Sequence, residues 1–169
     1  AGNKAVTANF TLRQYALGLS AGTGGSVSGA GTYDHGTTVS ITATPSTGYN
    51  FSGWTGASVT DSTAATTTVT LTEAQNLTAN FVLKEYTLTV SSGTGGSASG
   101  EGNFTHGTTT SITANPSTGY HFVNWSGDSV ADANAASTTI SMDQNRSVTA
   151  NFAIDQHALT LNAGTGGTI

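Results

Sequence analysis

A segment of 71 residues that repeats without insertion or deletion constrains this chain more than anything else in it. Tyr15 recurs as Tyr86, Gly22 as Gly93, Tyr49 as Tyr120 and Trp54 as Trp125 (86 − 15 = 71). More than half the positions of residues 15–85 are identical in 86–156. Chance would leave only a few, so the chain reads as a tandem duplication, and a fixed period is the mark of a repeat array. The flanks keep the same register. Residues 1–14 repeat the tails at 72–85 and 143–156, and residues 157–169 repeat the starts at 15–27 and 86–98. The organisation expected is the C-terminal strand of a preceding repeat (1–14), a first repeat (15–85), a second repeat (86–156) and the first hairpin of a following one (157–169).

Within each period one stretch is rich in large side chains. Residues 44–56 read Thr-Pro-Ser-Thr-Gly-Tyr-Asn-Phe-Ser-Gly-Trp-Thr-Gly, and residues 115–127 read Asn-Pro-Ser-Thr-Gly-Tyr-His-Phe-Val-Asn-Trp-Ser-Gly. The chain has two Pro and two Trp, so each copy holds one of each. In a sequence otherwise poor in bulky residues, such a cluster is where a core forms. The expected core residues are Tyr49, Phe51, Trp54 and Phe81 in the first repeat, and Tyr120, Phe122, Trp125 and Phe152 in the second. The competing reading gives Trp54 and Trp125 to a sugar ring in a carbohydrate-binding module. Core filling is favoured because a domain of this size has few other large side chains to bury.

Period-two alternation points to strands. Tyr86-Thr-Leu-Thr-Val-Ser, Thr38-Val-Ser-Ile-Thr-Ala and Thr67-Thr-Val-Thr-Leu each place apolar residues on one face. Abundant Thr, Val and Ile suit a pleated surface. Charged residues are only 8% of the chain, so the good helix formers Lys and Glu are scarce. Gly93-Thr-Gly-Gly is expected to close a hairpin with the short strand Ser97-Ala-Ser. The strand after His106-Gly107 should stop near Pro116, which cannot donate to a ladder. Trp125 has the wrong parity to share a face with Tyr120 and Phe122. A β-bulge would return it to the core, and the preceding Asn124 (Gly53 in the first copy) is of a type that accepts left-handed φ. No Gly-, Ser- or Pro-rich linker separates Ala153-Ile-Asp-Gln from His157-Ala-Leu-Thr-Leu, so neighbouring repeats should be stiffly coupled.

The order Tyr-x-Leu-x-Val, Gly-Thr-Gly-Gly-Ser, Tyr/Phe-x-His-Gly-Thr, Ile-Thr-Ala-x-Pro, Gly-Tyr-x-Phe-x-x-Trp and Thr-Ala-Asn-Phe resembles the divergent internalin-B B-repeat family, related to the Listeria–Bacteroides repeats. The resemblance covers the whole chain; His157 departs from it where Tyr15 and Tyr86 open the complete repeats. It implies small all-β domains, some of them β-grasp-like, in tandem on bacterial surface and secreted proteins. There they serve as spacers, stalks and adhesion modules.

Little in the sequence offers chemistry. Net charge is −5 with four Lys plus Arg, which speaks against nucleic acid and against anionic membrane surfaces. There is no Cys, so thiolate chemistry and disulfides are out, and no apolar run is long enough to insert in a bilayer. His35 and His106 sit in equivalent His-Gly turns and lack metal-ligand spacing with other histidines. Asp61, Asp128 and Asp132 lie in the loop after Trp but lack a calcium-loop pattern, and capping by Asp is favoured there. No catalytic residue, cofactor or metal is expected. The function expected is a non-enzymatic extracellular or cell-surface stalk or fibre. Its partners would be neighbouring repeats, further copies in a fibre, or a surface polysaccharide. The alternative is a carbohydrate-binding or adhesion module attached to a secreted enzyme or adhesin.

Overall fold

Among the described residues fourteen strands make up the regular structure, seven in each repeat. The computed structural model describes residues 2–162 and 164–167, and among these there is no helix. The chain divides into two compact units, Ala1–Lys84 and Glu85–Ile169. In the first unit the strands are β1 (Gln14–Ala21), β2 (Gly25–Ser28), β3 (Gly31–Asp34), β4 (Thr38–Pro45), β5 (Tyr49–Gly56), β6 (Thr66–Thr70) and β7 (Gln75–Leu83). In the second they are β8 (Glu85–Ser92), β9 (Gly96–Ser99), β10 (Gly102–Thr105), β11 (Thr108–Pro116), β12 (Tyr120–Gly127), β13 (Ser137–Met142) and β14 (Arg146–Ile154).

Each unit is built from two sheets. A four-stranded mixed sheet has the order β3-β1-β7-β5, and a three-stranded antiparallel sheet has the order β2-β4-β6. The second unit repeats this as β10-β8-β14-β12 and β13-β11-β9. The first and last strands of each unit run parallel at the centre of the four-stranded sheet, Leu19 opposite Leu77 and Val90 opposite Val148. Alternation places Val39, Ile41 and Ala43 of β4 and Val69 of β6 inward, against Leu17, Leu77 and Ala79 of the other sheet. The core of the second unit is the same construction from Leu88, Ile112, Ala114, Ile140, Met142, Val148 and Ala150.

The structure corrects one local expectation, adds a pair of short strands and bears out the bulge. Residues 93–96 do not close a hairpin. β8 pairs with β10 and β14, which takes both its edges, and β9 pairs with β11 in the other sheet. The glycine turn instead carries the chain from one sheet to the other. Secondly, Gly31–Asp34 and Gly102–Thr105 are strands, pairing Tyr33 with Tyr15 and Phe104 with Tyr86. Four residues are too short a run to show alternation. Thirdly, the bulge before Trp is present in both copies, with the register shifting between Phe51 and Gly53 and between Phe122 and Asn124. Gly53 adopts φ 144°, but no residue other than glycine has positive φ among those described. Asn124 therefore bulges without entering the left-handed region.

The flanking fragments form no strand over residues 2–13, 157–162 and 164–167. In the complete units the corresponding strands, β7 and β1, pair with each other and with β5 and β3. The fragments bring no such partners, and their apolar residues Phe10, Val6 and Leu159 are fully exposed.

Candidate functional site

The aromatic stretch was the foremost candidate, and its geometry is the same in both units. Because Ser52 is the extra residue of the bulge, Phe51 faces Phe81 across the ladder and Trp54 faces Ala79. Both rings are thereby turned to one side. Trp54 is 5% exposed and Trp125 4% exposed, so neither indole offers a free face. Each indole N–H donates to a backbone carbonyl of the following loop, Trp54 Nε1 to Ala64 O at 3.1 Å and Trp125 Nε1 to Ala135 O at 3.0 Å. A buried indole needs that partner. Phe51 packs on Trp54 at 5.7 Å between centroids and edge-on against Phe81 at 6.0 Å. Phe122 does the same with Trp125 and Phe152 at 5.7 and 6.1 Å. Tyr49, Phe51, Phe81, Tyr120, Phe122 and Phe152 are half-buried. The side chains sealed off from solvent are aliphatic, with Ile41 and Leu71 in the first unit and Ile112 and Met142 in the second at 0% exposure.

The glycine turn belongs to this cluster. A Cβ on Gly24 would lie 2.2 Å from Cδ1 of Tyr49, and one on Gly25 would lie 2.2 Å from Cζ of Phe81. Gly95 and Gly96 meet Tyr120 and Phe152 in the same way. Gly24 also requires φ 101°. The sequence Gly-Gly is thus needed because two rings lie flat on the backbone at the crossing between sheets. Nothing there presents the convergent N–H groups and lysine of a phosphate loop.

The polar candidates are structural. Asp61 Oδ1 accepts from the backbone N–H of Thr63 at 2.8 Å and from its hydroxyl at 2.7 Å. The Thr63 hydroxyl, then the Thr63 and Ala64 amides, hold the Asp61 carboxyl below its ordinary pKa. Asp132 accepts from Asn134 N–H in the second unit. His35 and His106 lean on Tyr15 and Tyr86 at 5.9 and 6.0 Å. Among the described residues there is no group of three or more His, Asp or Glu placed to hold a metal ion.

One difference between the copies escaped the sequence reading. Arg146 reaches Asp143 Oδ1 at 2.6 Å and Asp128 Oδ1 at 3.6 Å, and Asp128 also accepts from Ser147 N–H at 2.7 Å. The equivalent positions in the first unit are Gln75, Thr72 and Ala57. All three charged groups are replaced together, and Gln75 lines an open depression instead. Only side-by-side comparison of three positions scattered over twenty residues could have signalled it.

Residues 15–85 and 86–156 each match the divergent InlB B-repeat domain. Repeats of this kind are structural rather than catalytic modules and occur in surface and secreted bacterial proteins. No curated protein and no solved structure matches the chain.

Proposed function

Because the chain belongs to the divergent InlB B-repeat domain family, we propose that it is a non-enzymatic stalk region of a bacterial extracellular or cell-surface protein. Its work is mechanical: small β domains in series hold whatever they carry at a distance from where they are anchored. The observation that carries this reading is the junction. β7 ends at Leu83 and β8 begins at Glu85, so Lys84 alone lies between the last strand of one unit and the first of the next. A single residue leaves few dihedral angles to vary, whereas flexible linkers are long and rich in Gly and Ser. The constant 71-residue period then repeats the same junction along the array.

The sparsely charged composition suits the setting. Four Lys plus Arg in 169 residues leave trypsin-like proteases few cleavage sites. Neighbouring repeats are the first partners in this reading, with further copies in a fibre and surface polysaccharide as additional ones. Burial of Trp54 and Trp125 counts against the version of the carbohydrate reading that stacks sugars on indole rings. Electron microscopy of concatemers built at the natural period tests the proposal. Rods whose length grows in proportion to repeat number are expected, and randomly bent strings of beads would overturn it.

A further inference from the structure

We propose that each unit is a tension clamp: load passing along the array shears its first strand against its last, and the second unit holds more firmly than the first. This concerns pulling within a unit, whereas the stalk reading concerns bending at the junctions, and neither rests on the other. The chain enters a unit at its first strand and leaves at its last, so a pull along the array acts on β1 at Gln14 and on β7 at Leu83. Those two strands are paired neighbours and run parallel, with Leu17 opposite Gln75 and Ala21 opposite Ala79. Because they are parallel, the pulled ends lie at opposite ends of the shared ladder. β1 is drawn backwards past β7, and the load falls on all the bonds between them together. In the second unit the pulled ends are Glu85 and Ile154, and the ladder runs from Leu88 opposite Arg146 to Ser92 opposite Ala150.

The surroundings of this ladder suit the task. Gly22 N donates to Ala79 O at 2.8 Å and Gly93 N to Ala150 O at 2.9 Å, which extends it past the last paired residues. Leu17, Leu77 and Ala79, and in the second unit Leu88, Val148 and Ala150, are buried along it. Water therefore cannot replace a stretched bond from the core side. The ladder is central in its sheet, with β3 and β5, or β10 and β12, outside it. One bond is worth only about 0.5–1.5 kcal/mol net. Resistance comes from having to break several together, and forced unfolding is governed by that barrier.

The grading between units rests on a separate observation. Thr87 N donates to Asn145 Oδ1 at 2.9 Å, which adds a rung at the end where β8 is pulled. Arg146 and Ser147, the first two residues of β14, are tied to Asp143 and Asp128. In the first unit Ala74 stands in place of Asn145, and Gln75, Thr72 and Ala57 in place of Arg146, Asp143 and Asp128. The extra rung and the charged ties are absent there, so the first unit gives way first and spares the second.

Optical-tweezers pulling on the whole chain by its two ends tests this. Two rupture forces are expected, each event releasing roughly 200 Å of chain. Attaching the handles instead at Ala16→Cys and Ala74→Cys grips β1 and β7 at the same end of their ladder, at exposed positions. The bonds then open one at a time, and the first unit should rupture at about half the end-to-end force or less. Equal forces in the two geometries would overturn the clamp. Should the double variant fail to fold, the loading-rate dependence of the wild-type chain decides. Shear fails after a displacement on the order of 3 Å, about the length of one hydrogen bond; a distance to the transition state of roughly 10 Å or more, several residues of strand, would overturn it. In the variant Asp128→Ala, Asn145→Ala, Arg146→Gln the higher force should fall to the lower, and an unchanged higher force would overturn the grading. None of these outcomes bears on the rod measurement with concatemers.

Discussion

Trp54 and Trp125 are the residues on which each unit most depends. Each fills core volume and also satisfies a loop carbonyl through its indole N–H. Trp54→Phe removes the donor and leaves Ala64 O without it, which costs about 1–3 kcal/mol. Trp54→Ala opens a cavity and costs about 3–5 kcal/mol. A change of about 1 kcal/mol moves the melting point of so small a domain by about 4–8 °C. Thermal melts followed by NMR should show these losses in residues 15–84, with the second unit melting as before. Asp61 gives a residue-scale prediction in pH. Its carboxyl is held below the ordinary value by Thr63 and Ala64, so its contribution is complete above about pH 4 and disappears as pH falls through the folded-state value. Asp61→Asn should therefore flatten the acid limb of the first unit's melting temperature below about pH 4. A limb identical to wild type would show that the Thr63 contacts contribute nothing.

At the scale of elements, the bulge decides whether the aromatic motif works. Side chains alternate with period two, so Phe51 and Trp54 share a face only because Ser52 is inserted between them. Deleting Ser52 forces either Phe51 or Trp54 outward. The first unit should then lose about 3 kcal/mol or more, read as loss of its dispersed NMR signals while those of β8–β14 persist. This element was legible from parity, because a Trp three residues after a Phe cannot be inward in a regular strand. Other elements were not. The turn at 93–96 has the composition of a hairpin, and what redirects it is not local. β1 and β8 already have neighbours on both sides, and those neighbours lie up to sixty residues away in sequence. The short strands β3 and β10 were hidden for a related reason, since four residues carry too little pattern. The Arg146 cluster was hidden because each replacement taken singly is an ordinary surface change; only the joint replacement of Arg146, Asp128 and Asp143 by Gln75, Ala57 and Thr72 stands out.

For the whole molecule, the period of 71 residues is more informative than any single side chain. The aromatic motif, the glycine crossing and the bulge explain why each unit folds, and they recur because every unit must bury its own core. Function in the stalk reading lies in the junctions, where a single residue separates β7 from β8. The chain has no Cys, so spin labels can be placed at will. Thr44→Cys and Asn115→Cys put labels on equivalent exposed positions of β4 and β11. The distance distribution between them by pulsed electron paramagnetic resonance tests the central claim directly. A single narrow distribution, unchanged between dilute and crowded solution, is the expected result; a broad distribution like that of two beads on a free joint would contradict it.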